Sequence, residues 1–183
     1  MVLGDSLAAG HGLDPAQAYP SVLQQKVSAE GWKLTVLNAG ISGDTTAGGL
    51  RRIDWLMQYR TDVLIIALGG NDGLRGLAPA TTRANLQGII DRARRKYPQL
   101  QIVLAGMRMP PNFGNEYTAQ FAAIFPELAE KNRVALIPFL LEGVGGRPEY
   151  NQPDLIHPTA AGQRIVAHNV WQVLKPLLQA RVE

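Results

Sequence analysis

The chain has 183 residues, 46% of them apolar and 18% charged, and its 18 Lys and Arg against 15 Asp and Glu give a formal net charge of +3. That balance suits one globular domain over residues 1–183 with a sizeable hydrophobic core, and it excludes a disordered or low-complexity chain. So small a charge gives no footing for nucleic acid or an anionic membrane. No apolar run is long enough to span a bilayer, and the lack of cysteine excludes disulfides, thiolate metal sites and a cysteine nucleophile.

Met1-Val2-Leu3 reads as a first strand that breaks at Gly4-Asp5-Ser6. Ordinary strands run to about five or six residues, so this short one points to a mature or trimmed form whose leader lay upstream. Pro20 suits the first turn of a helix that Gly31 ends. The second strand is expected over Lys33 to Asn38 and the third over Asp62 to Leu68. Leu86, Ile89, Ile90 and Ala93 then recur at helical spacing, with the basic run Arg92 to Lys96 as that helix's solvated face. Gln101 to Ala105 is a fourth strand; Phe121, Ile124, Phe125 and Leu128 mark a helix, and Val134 to Pro138 a fifth strand. A last helix carries Val166, Val170, Val173, Leu174 and Leu177 on one stripe.

The strict alternation of strand and helix predicts an α/β fold: a three-layer α/β/α sandwich around a five-stranded parallel sheet of flavodoxin-like order 2-1-3-4-5. No internal repeat or linker interrupts it. In such sheets ligands bind beyond the carboxyl ends of the strands, and the unusual polar residues cluster there. Strand one ends in Gly4-Asp5-Ser6, strand two in Asn38 to Asp44, strand three in Gly69-Gly70-Asn71-Asp72. In the order 2-1-3-4-5, Ser6 lies between Gly43 and Asn71. Strand five is at the far edge, and the segment Phe139 to Pro153, with its GVGGRP stretch, has the length to bring Asp154 and His157 back to Ser6.

The GDSL run, the SGDT around Gly43, the GGND run and the DxxH pair resemble the blocks of the SGNH (GDSL-type) hydrolase superfamily, from Gly4 to the final helix. GMRMPPNFG, IPFLLEGV and HPTAAG narrow the resemblance to the bacterial lysophospholipase L1-like, thioesterase I and arylesterase group. One departure is Leu155, where relatives often carry glycine. The resemblance implies a serine esterase acting on acyl esters or thioesters, lipid-like or aryl, with no cofactor and no metal. It also implies export to the periplasm or secretion, with a cytoplasmic location still open. Nothing in the pattern reads on oligomeric state.

The residue types fit that chemistry. A serine needs an adjacent base to attack a carbonyl; His157 supplies an imidazole, and Asp154 three residues earlier can reach its Nδ1 and fix the tautomer. Oxyanion donors would be the Ser6 and Gly43 backbone N–H groups and the Asn71 side-chain amide. No G-x-S-x-G elbow occurs, which counts against the ordinary α/β-hydrolase.

Plainer readings stand beside these. Ser6, Asn71 and Gly43 could each serve only a turn, with Asp44 or Thr45 capping the next helix. Asp154 and His157 could form a structural turn, although Thr159 is the better cap for the last helix. Asp5 and Asp72 read as hydrogen-bond partners rather than reactants, and His11 and His168 as surface or packing residues. Met107, Met109 and Phe113 would line an acyl pocket or simply pack the loop. The alternative chemistry is a metal-dependent hydrolase or phosphoesterase using Asp5, Asp44, Asp72, Asp154 and His157, since hard cations favour carboxylate oxygen. It would leave Ser6 and Asn71 without a common purpose. A nucleotide-binding module lacks both phosphate-loop signatures, and a catalytically silent relative would have no need of all three triad residue types.

Overall fold

Uninterrupted apolar runs such as VLIIA and QIVLA form strands that are buried on both sides, the pattern of a parallel sheet covered by helices. The computed structural model describes residues 1–182. Its strands are β1 (Val2–Gly4), β2 (Asn38–Gly40), β3 (Val63–Ala67), β4 (Gln101–Ala105) and β5 (Ala135–Ile137). They pair in parallel in the order β2-β1-β3-β4-β5, as the strand–helix alternation led us to expect. The register sets Gly4 beside both Gly40 and Ala67, so three strands end level and the segments leaving them meet at one place.

The long helices are α2 (Tyr19–Ala29), α3 (Thr46–Leu56), α5 (Pro79–Lys96), α6 (Asn115–Asn132) and α7 (Ala160–Val182), with two short ones, α1 (Ser6–Ala9) and α4 (Gly70–Leu74). Helix α2 packs on α7, while α3, α5 and α6 pack in series, making the two outer layers. Leu86, Ile89, Ile90 and Ala93 hold α5 to the sheet, all fully buried, as Phe121, Ile124, Phe125 and Leu128 hold α6. Each large side chain so buried contributes roughly 1.5–3 kcal/mol. On α7, Val166, Val170 and Leu174 are buried and Val173 and Leu177 pack at the edge. Thr159 Oγ1 accepts the Gly162 N–H at 3.3 Å at the start of that helix. No helix among the described residues is long and apolar enough to cross a membrane.

The second strand departs from expectation. Lys33 to Leu37 is extended, with Leu34 and Val36 turned inward, but it has no ladder; β2 begins only at Asn38. Of this segment only Leu37 bonds the neighbouring strand, its carbonyl accepting the Val2 N–H at 2.8 Å, while the Gln24 amide covers the outer edge, donating to Leu34 O at 3.1 Å and accepting from Val36 N at 2.7 Å. Its neighbour β1 offers only three residues for pairing. Helices α1 and α4 are also unanticipated; both lie within glycine-bordered strand ends that read as plain turns.

Candidate active site

Ser6 opens α1 directly beyond β1. Asp5 caps that helix, its Oδ1 accepting the Leu7 N–H at 3.0 Å, and Gly10 ends it in the left-handed region. Ser6 is almost buried. As the first residue of a helix its N–H has no intrahelical acceptor, and it has no hydrogen-bond partner among the described residues.

The segment after β5 does return to this point. Asn151 Nδ2 gathers the preceding loop by donating to Val144 O at 2.6 Å and Arg147 O at 2.8 Å. Asn151 bridges to Pro158, and Gln152 N donates to His157 O at 2.7 Å, closing residues 153–156 into a tight loop. Within it, Asp154 Oδ1 accepts the Ile156 and His157 N–H groups, each at 2.9 Å. Asp154 Oδ2 lies 2.7 Å from His157 Nδ1, and His157 Nε2 lies 3.0 Å from Ser6 Oγ. Hydrogen bonds from the His157 backbone and then its ring hold the Asp154 carboxyl down at about 2. It is therefore ionised throughout the neutral range.

On the other side of Ser6, residues 41–44 form a turn closed by Asp44 N to Ile41 O at 3.1 Å. Gly43 stands in it at φ 78°, a backbone conformation that favours glycine, and its N–H has no partner among the described residues. Arg75 Nη2 donates to Gly43 O at 3.0 Å. Asn71, in α4, directs Nδ2 to Asp44 O at 2.8 Å, with a second, longer contact to Asp5 Oδ2 at 3.4 Å. The serine–histidine–aspartate line thus lies at the end of β1, with the Gly43 turn following β2 and Asn71 following β3.

The description "GDSL-like Lipase/Acylhydrolase family" matches residues 2–165. The chain belongs to that family. Among its relatives is Esterase TesA of Pseudomonas aeruginosa, 44% identical over 97% of this chain and 88% of that protein. Thioesterase 1/protease 1/lysophospholipase L1 of Escherichia coli is 38% identical over 97% of this chain and 84% of its own length. The crystal structure of TesA superposes with a TM-score of 0.92, covering 96% of this chain and 97% of that one. The psychrotrophic esterase EstA from Pseudoalteromonas sp., in a structure inhibited by monoethylphosphonate, gives 0.90 at 31% identity, with 97% of both chains covered. The fold and blocks expected from the sequence are those of a GDSL/SGNH hydrolase, and the chain is an ester hydrolase of this family.

In this GDSL-like hydrolase, a cleft of about 460 Å³ opens beside Ser6 and His157. Leu74, Met107, Met109, Phe139, Leu141 and Leu155 make its walls apolar. Of the three candidate pocket residues, Met107 and Met109 line it; Phe113 instead stacks on Tyr117, with ring centroids 5.9 Å apart. His11 was read as a surface or packing residue. Its ring lies 4.4 Å from that of His157, and its carbonyl accepts Gln152 Nε2 at 2.7 Å, so it shelters the histidine loop. Its only sequence signal is a place five residues beyond Ser6, just after Gly10.

The strand-end carboxylates are each engaged separately. Asp5 caps α1 and, by burial, has its carboxyl pushed up to about 6. Asp72 accepts Thr46 N at 2.9 Å and the Thr46 hydroxyl, locking α3 to α4. Asp44 pairs with Arg52. Asp5, Asp44, Asp72, Asp154 and His157 thus make no metal-holding cluster among the described residues, and no observation favours the metal-dependent alternative.

Proposed function

We propose that this enzyme cleaves carboxylic esters and thioesters through an acyl-enzyme on Ser6. The observation that carries the reading is the continuous line Asp154 Oδ2–His157 Nδ1 at 2.7 Å and His157 Nε2–Ser6 Oγ at 3.0 Å. Ser6 Oγ attacks the carbonyl carbon as His157 Nε2 takes its proton, and Asp154 stabilises the imidazolium and fixes its orientation. The oxyanion is received by the Ser6 and Gly43 N–H groups and by the Asn71 N–H not committed to Asp44. The tetrahedral species collapses, and His157 gives its proton to the departing alcohol or thiol. Water then attacks the acyl-enzyme with His157 as base, releasing the acid and restoring Ser6. No step calls on a metal or cofactor.

The apolar cleft supports acyl or aryl groups as the part bound, in keeping with relatives named esterase, arylesterase and thioesterase/lysophospholipase. Residues 1–183 act as one catalytic unit in this reading. Export to the periplasm belongs to it too and rests on the family resemblance; recovery only in the cytosolic fraction would contradict it.

Ser6→Ala tests the mechanism. Turnover of a soluble p-nitrophenyl ester should fall by at least about 10⁴-fold with the melting temperature kept, because triad members act as one unit. Retained turnover would overturn the serine mechanism.

A further inference from the structure

We infer that the Asp44–Arg52 ion pair is the positioning device of the oxyanion hole, holding all three donors at fixed distances from one another. The inference rests on the acyl-enzyme reading above. Arg52 leaves α3 and runs beneath the ends of β1 and β2, where its side chain is only 16% exposed and that of Asp44 10%. Its Nε donates to Asp44 Oδ2 at 2.8 Å, Nη1 to Ala39 O at 2.7 Å and Nη2 to Gly4 O at 3.0 Å. One planar guanidinium therefore ties the strand that delivers Ser6, the strand that leads to Gly43 and the turn that presents Gly43. Asp44 extends the frame: its N–H closes that turn on Ile41, and its carbonyl holds Asn71 Nδ2 at 2.8 Å.

Each donor is thus referred to the same group. The Ser6 N–H follows two residues after Gly4, the Gly43 N–H precedes Asp44 by one, and the Asn71 amide hangs on the Asp44 carbonyl. Neither Arg52 nor Asp44 lines the cleft. They act through the donors, and a mispositioned donor of about 1 Å is enough to cost on the order of 10²-fold in rate. The sequence makes room for the pair in an unusual way. A Cβ on Gly48, in the first turn of α3, would run into the Asp44 carboxylate, so glycine at 48 keeps the space in which the ion pair sits, although alanine would be the better helix former.

A merely structural role would lower stability and leave turnover of the folded enzyme alone, which fixes the test. Wild type, Arg52→Ala, Arg52→Lys, Asp44→Asn and Gly48→Ala are compared for kcat and KM on p-nitrophenyl butyrate. The same variants are assayed for inhibition by a boronic acid, whose adduct with serine is tetrahedral, and for melting temperature. Arg52→Ala should lower kcat about 10- to 100-fold and weaken boronate inhibition by a similar factor, with KM changed less than about threefold. Arg52→Lys should recover little, because an ammonium cannot serve three acceptors in one plane. Gly48→Ala should lose about tenfold in kcat in the folded enzyme and melt lower than wild type, since displacing the largely buried carboxylate costs more than the roughly 1 kcal/mol the helix gains in propensity. If Arg52→Ala does not fold, Gly48→Ala and Asp44→Asn carry the comparison. Values of kcat and boronate affinity within about twofold of wild type in the folded variants would overturn the inference. Loss of activity in Ser6→Ala on the same substrate keeps that outcome distinct from failure of the acyl-enzyme reading.

Discussion

The Asp44 carbonyl holds the Asn71 side-chain amide at 2.8 Å, committing one of its two N–H groups and leaving the other with only a 3.4 Å contact to Asp5, the residue before Ser6. A donor in that place bonds a tetrahedral oxyanion better than a flat carbonyl. Asn71→Ala should lower kcat by about 10²–10³-fold with a much smaller change in KM. Asn71→Asp should be at least as damaging at neutral pH, since it puts a carboxylate against both the Asp44 carbonyl and the developing anion. Steady-state kinetics across pH decide it. Near wild-type kcat in the aspartate variant would make Asn71 a turn residue only.

Asp154→Asn should cost about 10³–10⁴-fold in kcat while leaving the loop folded. The asparagine oxygen can still accept the Ile156 and His157 N–H groups that Asp154 Oδ1 accepts at 2.9 Å. Its NH₂ then faces His157 Nδ1, so the ring must carry its proton on Nε2, pointing at Ser6, and cannot serve as base. The acid side of the profile follows from the same carboxylate. The Asp154 carboxyl is held at about 2, so its stabilising contribution is full above the unfolded value of 3.8 and is lost progressively as pH falls from there through 2. Thermal melts from pH 2 to 5 should show this loss in the wild type and not in Asp154→Asn.

Asp5 titrates in the opposite sense. Burial raises its carboxyl from 3.8 to about 6, so the protonated form stabilises the fold below pH 3.8 and that contribution is lost as pH rises through 6. Asp5→Asn carries no such titration and its oxygen can still cap α1. Relative to wild type it should gain on the order of 2 kcal/mol between pH 4 and pH 7, read as a melting difference that grows across that window. A constant difference would mean that Asp5 is not desolvated in the folded enzyme.

Leu155 stands at φ 57° in the loop between Asp154 and His157, a conformation costing a branched residue about 1–2 kcal/mol. The residue is 52% exposed and also forms part of the cleft wall. Leu155→Gly should leave the melting temperature unchanged or raise it by a few degrees, about 2–4 °C per kcal/mol at this size. The same change should raise KM for long-chain esters more than for acetate esters. Equal KM changes for both would remove Leu155 from the acyl-binding wall.

The sheet was legible because strands buried on both faces read as unbroken apolar runs, as in Val63–Ala67 and Gln101–Ala105. Lys33 to Leu37 misled for a physical reason: its alternate residues do turn inward, but β1 offers only Val2–Gly4 for pairing and meets just Leu37 of the segment, leaving Gln24 to cover its outer edge. Ser6, Gly43 and Asn71 were readable as glycine-bordered strand ends, and the approach of Asp154 and His157 from the length of the segment after strand five. The contacts of Arg52 and His11 were not. Arg52 is one of two adjacent arginines on an amphipathic helix, and nothing local distinguishes the one that turns under β1 and β2. His11 meets His157 across 146 positions of sequence, through a reversal at Gly10 that carries no periodic signal.

Covalent labelling with a fluorophosphonate, followed by peptide mapping and residual activity on a p-nitrophenyl ester, tests the central claim most directly. The geometry of Ser6 Oγ at 3.0 Å from His157 Nε2 predicts a single phosphonate adduct on the peptide containing Ser6, with activity lost in proportion to its occupancy and neither event in His157→Ala. Activity that survives full modification of Ser6, or inactivation with Ser6 unmodified, would contradict the account.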